Sequence, residues 1–116
     1  MYEAELEIMT DHAKRLSELT RCLNAADVRA AIAAIEEKMA APDFWNDQEE
    51  AQKQVKRLKA LKTIINAPDE LQREIEDAQV LISLAEEEED ASMRPEILGQ
   101  IETLQQKLDR LELNSL

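Results

Sequence analysis

The chain has 116 residues, 44% of them apolar, which suits one domain with a core and is too short for two ordinary domains. Fourteen basic and 26 acidic residues leave a net charge of −12, which opposes general affinity for a nucleic-acid backbone. One glycine, three prolines and three aromatic residues (Tyr2, Phe44, Trp45) cannot furnish the tight turns of a sheet protein, while the strongest helix formers dominate, so the expected class is all-α.

The first helix is predicted over about 2–23. Leu6, Met9, Ala13, Leu16 and Leu23 form a stripe, with Thr20 in the missing slot. Asn24 reads as the cap of a second helix, with Asp27 placed against its dipole. Val28, Ala31, Ile32, Ile35 and Met39 make the apolar face, and Pro42 ends the helix near Ala40.

Pro42-Asp43-Phe44-Trp45 is the clearest connector. Asn46 then caps the third helix, with Glu49 three residues on. Its first apolar positions are Ala51, Val55, Leu58, Leu61 and Ile65. At Asn66-Ala67-Pro68-Asp69 a second Asn-x-x-acid pattern competes with periodicity. Leu61, Ile64, Pro68, Leu71, Ile75, Ala78, Ile82 and Ala85 keep a 3-4 spacing through the proline, where a loop would reset the phase. The expectation is one long helix over about 47–88, kinked near Pro68, with two collinear helices as the alternative.

Glu86 to Asp90 reads as a solvated helix end. A last helix starts between Ser92 and Pro95 and reaches about Leu113, with Ile97, Ile101, Leu104, Leu108 and Leu111 as its seam. The whole is expected to be a single elongated antiparallel helical bundle, the long third helix pairing with the last in coiled-coil fashion. Several seams lack a partner of equal length, which suggests that the domain docks on something else.

Residues able to carry chemistry are sparse. His12 is the only histidine and reads as a surface residue, too isolated for a metal site. Cys22, the only cysteine, allows no internal disulfide and reads as a small, partly buried side chain near a helix end. A single glycine rules out phosphate-binding loops and nucleophile elbows, and a thin bundle offers no pocket to tune carboxylates. No enzymatic activity, cofactor, metal or small-molecule substrate is expected.

Two features remain as candidate partner-binding residues. Phe44 and Trp45 read either as anchors stapling the entry to the third helix or as an exposed knob for a partner. Lys53, Lys56 and Arg57 cluster opposite Val55, Leu58 and Ile65. They form either a solvated face balanced by Glu49 and Glu50 or a small phosphate-contacting patch. No apolar run approaches the roughly 20 residues that span a bilayer, so no membrane partner is expected. Glu3, Glu5 and Glu7 stand where a signal peptide carries basic residues, so export is not expected either.

The stretch Pro42-Asp43-Phe44-Trp45-Asn46-Asp47, followed by Glu49-Glu50-Ala51-Gln52, resembles the N-terminal domain of the bacterial release factor 2 family. So do Ile35-Glu36-Glu37-Lys38-Met39-Ala40-Ala41 and the terminal Leu108-Asp109-Arg110-Leu111-Glu112-Leu113. The resemblance implies a cytoplasmic class I translation termination factor that reads UAA and UGA and triggers peptidyl-tRNA hydrolysis. Neither the family's catalytic Gly-Gly-Gln nor its codon-reading Ser-Pro-Phe occurs in these 116 residues. The expectation is therefore the first domain alone. Its implied partners are the ribosomal GTPase-associated region at the stalk base and the class II GTPase, release factor 3. The alternative is a free-standing coiled-coil adaptor or helical chaperone subunit.

Overall fold

The computed structural model describes residues 1–115. They form four helices: α1 (Glu3–Cys22), α2 (Ala25–Met39), α3 (Gln48–Glu87) and α4 (Arg94–Asn114). Short 3₁₀ turns at Phe44–Asn46 and Ala91–Met93 precede α3 and α4. Among the described residues there is no strand. The shape is long and thin, 61 × 31 × 18 Å. At 1.5 Å per residue α3 is about 60 Å long, so it forms the axis of the whole molecule. The elongated all-helical architecture is as the sequence predicts.

Helix α3 is continuous through Pro68, which lies inside it and is buried. Phase continuity therefore outweighed the Asn66 capping signal. Asn66 would have to leave helical geometry to cap, whereas packing on both sides of the proline keeps α3 helical through it.

Two separate cores sit along α3. Around its C-terminal half, Leu71, Ile75, Ala78, Ile82 and Ala85 pack with Tyr2, Met9, Leu16 and Leu19 of the α1 segment and Ile97, Leu104 and Leu108 of α4. The expected α3–α4 seam is present, and α1 completes it as a third helix. Ion pairs from Glu5 to Arg94 and from Arg15 to Asp109 set α1 parallel to α4. The Lys107–Glu74 pair, 2.8 Å, ties α4 to α3. Around the N-terminal half, Ile32 and Ile35 of α2 pack on Leu58 and Ile65 of α3, flanked by Val28, Met39 and Leu61.

The buried face of α3 rotates between these cores. At 100° per residue, Leu58 and Ile65 point roughly 120° away from Leu71, Ile75 and Ala78. The change falls at Ile65, Pro68 and Leu71, which step by three and three instead of three and four. One consequence corrects the seam drawn from sequence. Ile64 shares the phase of the C-terminal core, but α1 and α4 do not reach it, and it is 44% exposed.

Three further expectations are corrected. His12 is buried at 1% exposure, because the centre of the α1 stripe runs Tyr2, Glu5, Met9, His12, Leu16, Leu19, leaving Leu6 and Ala13 at its edge. Cys22 is exposed, at the last residue of α1 and off its buried stripe. Asn24 does not cap α2 with its side chain; it takes a left-handed conformation (φ 54°) that turns the chain from α1 into α2.

The acidic run after α3 is only partly solvated. Glu86 accepts a short hydrogen bond from the Tyr2 amide, and the Asp90 carbonyl accepts from the Tyr2 hydroxyl at 2.6 Å. Arg94 stacks over the Tyr2 ring at 4.7 Å. Tyr2, fully buried, thereby pins the start of α1 to the α3–α4 junction.

Candidate docking surface

The connector residues fold as a 3₁₀ turn because Pro42 stops α2 and leaves short i→i+3 bonds as the local option. The Phe44 amide donates to Ala41 and the Asn46 amide to Asp43, both at 3.1 Å. Helix α3 is capped one residue later than predicted: the Asp47 carboxylate, not Asn46, accepts from the Glu50 amide at 3.2 Å. Asn46 is inside the turn and makes no side-chain cap. Asp47 has the extended backbone (φ −101°, ψ 94°) that a cap requires.

This geometry separates the two aromatic candidates. Phe44 is half-buried against the α2–α3 corner, while Trp45 is 54% exposed. Their rings meet edge to face, centroids 4.8 Å apart at 89°. Phe44 is therefore the more buried of the pair, and Trp45 projects into solvent against its edge.

Lys53, Lys56 and Arg57 are all exposed. Among the described residues none of them joins an ion pair; the neighbouring Lys62 does, reaching Glu36 of α2 at 3.2 Å. Glu50, expected to balance the patch, instead accepts from Gln54 at 3.0 Å. Sequence reasoning missed Ile64, which lies within about 20° of Lys53 and Arg57 around the helix. The result is a basic stripe with an exposed apolar residue in it, on the arm of the molecule farthest from the three-helix core. Trp45 lies just beyond its N-terminal end.

Among the described residues, no group of three or more His, Cys, Asp or Glu could hold a metal ion. No helix among them is long and apolar enough to cross a membrane.

A family model described as the PCRF domain matches residues 28–116. The chain belongs to the PCRF domain family. Its match runs from within α2 through both 3₁₀ turns, α3 and α4, hence over the whole candidate surface. The chain is also similar to curated proteins named peptide chain release factor 2. The one from an Exiguobacterium species is 38% identical over 97% of this chain. Those from Acidothermus cellulolyticus and Streptomyces avermitilis are 34% and 33% identical over 95% and 93% of it. This PCRF chain spans about 30% of the length of each of these relatives. The resemblance to release factor 2 drawn from the connector is borne out.

Proposed function

We propose that this chain is the ribosome-docking region of a translation termination factor of the release factor 2 kind, acting in the cytoplasm. The observation that carries the reading is the PCRF match joined to relatives named peptide chain release factor 2 over nearly the whole chain. In this reading the 116 residues are one helical domain, and other parts of the full-length factor recognise UAA and UGA and release the peptide. The sole glycine, Gly99, leaves no room for Gly-Gly-Gln here. The ribosomal partner is the GTPase-associated region at the stalk base, and the class II release factor GTPase is the second partner.

The α2–α3 arm supports this role. It presents Trp45, Lys53, Lys56, Arg57 and Ile64 on a surface that the chain's own helices leave open. A strongly acidic protein approaches a ribonucleoprotein best through such a local basic face, or through apolar anchors on a protein component.

The test uses the full-length factor on ribosomes stopped at UGA, over a salt series. Lys53→Glu, Lys56→Glu and Arg57→Glu together should weaken binding by about tenfold or more and flatten the salt slope by about one per lost phosphate contact. Trp45→Ala should weaken binding with the slope unchanged if an apolar contact to protein dominates. If both variants fold and bind as the unmodified factor does, this surface is not the docking surface.

A further inference from the structure

A second surface lies at the opposite end of the molecule, in the groove between α1 and α4. Two cross-helix ties close it. Arg94 reaches Glu5 at one end, and Arg15 reaches Asp109 and Glu112 at the other. From Glu5 to Arg15 is about 15 Å of helix, the length of two to three turns. The open space between the ties is ≈ 720 Å³, far more than an ion needs.

The groove joins three features. Ile8 of α1 and Leu98 of α4 face each other across it at 40% and 47% exposure. Glu7, Asp11 and Glu102 rim it, and among the described residues none of these carboxylates makes an ion pair or a side-chain hydrogen bond. His12 lines it as well, buried, with both ring nitrogens lacking a hydrogen-bond partner. An imidazole buried without a partner at the floor of the groove is an energetic cost.

We propose that this groove docks a cationic amphipathic helix of another protein, two to three turns long, its apolar stripe seated on Ile8 and Leu98 and its Lys or Arg side chains on Glu7, Asp11 and Glu102. Charge selects this occupant. A second copy of the chain brings its own −12 to a rim that is already acidic, and an anionic peptide or a phosphate meets the same repulsion. A basic helix gains on both counts, since apolar anchors supply affinity and the free carboxylates supply orientation.

The probe is a labelled synthetic amphipathic peptide of about 11 residues, held helical by a side-chain staple, with a leucine face flanked by lysines. Its control keeps the leucines and carries glutamate at every lysine. Each is titrated against the 116-residue chain by fluorescence anisotropy at low and moderate salt. The lysine peptide should bind at least about tenfold tighter than the control, and more weakly as salt rises. Ile8→Asp and Leu98→Asp should each weaken it by about tenfold. The triple change Glu7→Gln, Asp11→Asn, Glu102→Gln alters exposed side chains only and should weaken it while removing most of the salt dependence. Three results would overturn the proposal: no binding, equal binding of both peptides, or affinity within about twofold of the unmodified chain for every variant. Sedimentation of the chain alone closes the remaining case, since a dimer broken by Ile8→Asp would make the occupant a second copy.

Discussion

Arg29 of α2 holds Asp69 of α3 through two parallel hydrogen bonds, the longer 2.9 Å, one residue beyond the proline that interrupts the α3 ladder. Pro68 offers no N–H to the Ile64 carbonyl, so the helix is intrinsically weak there. The fork comes from the start of α2 and clamps the weak turn from outside. The Arg29 guanidinium holds the Asp69 carboxyl below its ordinary range, and Asp69 in turn raises Arg29.

A depressed carboxylate pKa stabilises the fold above the unfolded value, about 3.9, and that contribution is lost as pH falls through the folded value. Arg29→Met keeps the aliphatic stem and removes the fork. Arg29 is half-exposed, so solvent screening limits the loss at pH 7 to about 1 kcal/mol at most. Urea denaturation at pH 7 and near pH 3 should show the two proteins converging in acid. An equal gap at both pH values would refute the assignment.

His12 should make stability fall on the acid side of neutrality. Burial is the main cause that holds its imidazole below the usual 6.5, with Arg15 adding to the effect and Asp11, Asp109 and Glu112 opposing it. The unfolded chain takes up a proton near pH 6.5, and the folded chain does so only at lower pH. Stability is therefore full above about pH 7 and declines as pH drops below 6.5. His12→Leu removes both the titration and the unpaired nitrogens, so it should raise stability at pH 7 by about 1–3 kcal/mol. It should also flatten the profile between pH 5 and 7. A variant with the same slope as the unmodified chain would place the titration elsewhere.

Gly99 lies inside α4, and a Cβ built there meets nothing within 4 Å. Helix interiors disfavour glycine relative to alanine by about 0.5–1 kcal/mol, and here no contact offsets that. Gly99→Ala should stabilise the free chain by that amount, read as a higher urea midpoint at unchanged m-value. Destabilisation would mean that the α3–α4 groove beside Gly99 is tighter than it is here.

The long-range pattern of this fold is legible in the sequence because helix phase is a cumulative signal. Leu71 to Ala85 keep their spacing over four turns, and that outvoted the single capping pattern at Asn66. Local signals fared worse where two roles suit one residue type. Asn24 serves as a cap or as a left-handed link, and only the crossing of α1 and α2 decides between them. Asn46 and Asp47 are both good caps, and the 3₁₀ turn selects the second. His12 and Glu5 look solvent-facing because they are polar. Their burial follows from the helices that flank α1 on both sides, which no single-helix pattern reveals. For the candidate surface, the basic cluster was visible from spacing, but Ile64 joined it only once the α3 face was seen to rotate.

That rotation carries the last prediction. Because α3 offers different faces to α2 and to the α1–α4 pair, the two cores share a backbone but no buried side chain. The core between α2 and α3 clusters four buried apolar residues, Ile32, Ile35, Leu58 and Ile65, against twelve in the other core. Less apolar surface leaves water on folding there, so the arm should be the weaker cooperative unit. Native-state hydrogen exchange should find amides of 25–39 and 52–65 opening at lower free energy than those of 71–85 and 97–108. Ile35→Ala should cost about 2–5 kcal/mol locally, since it empties the best-buried position of a two-helix contact. Its effect should appear as faster exchange in the arm, with protection around Ile82 and Leu108 unchanged. The mirror change, Ile82→Ala, should lower protection in the three-helix core and in the arm together, because the arm has no folded axis to pack on once the C-terminal half of α3 opens. If Ile35→Ala lowers protection equally at both ends, the chain folds as one unit and Pro68 marks no boundary in stability.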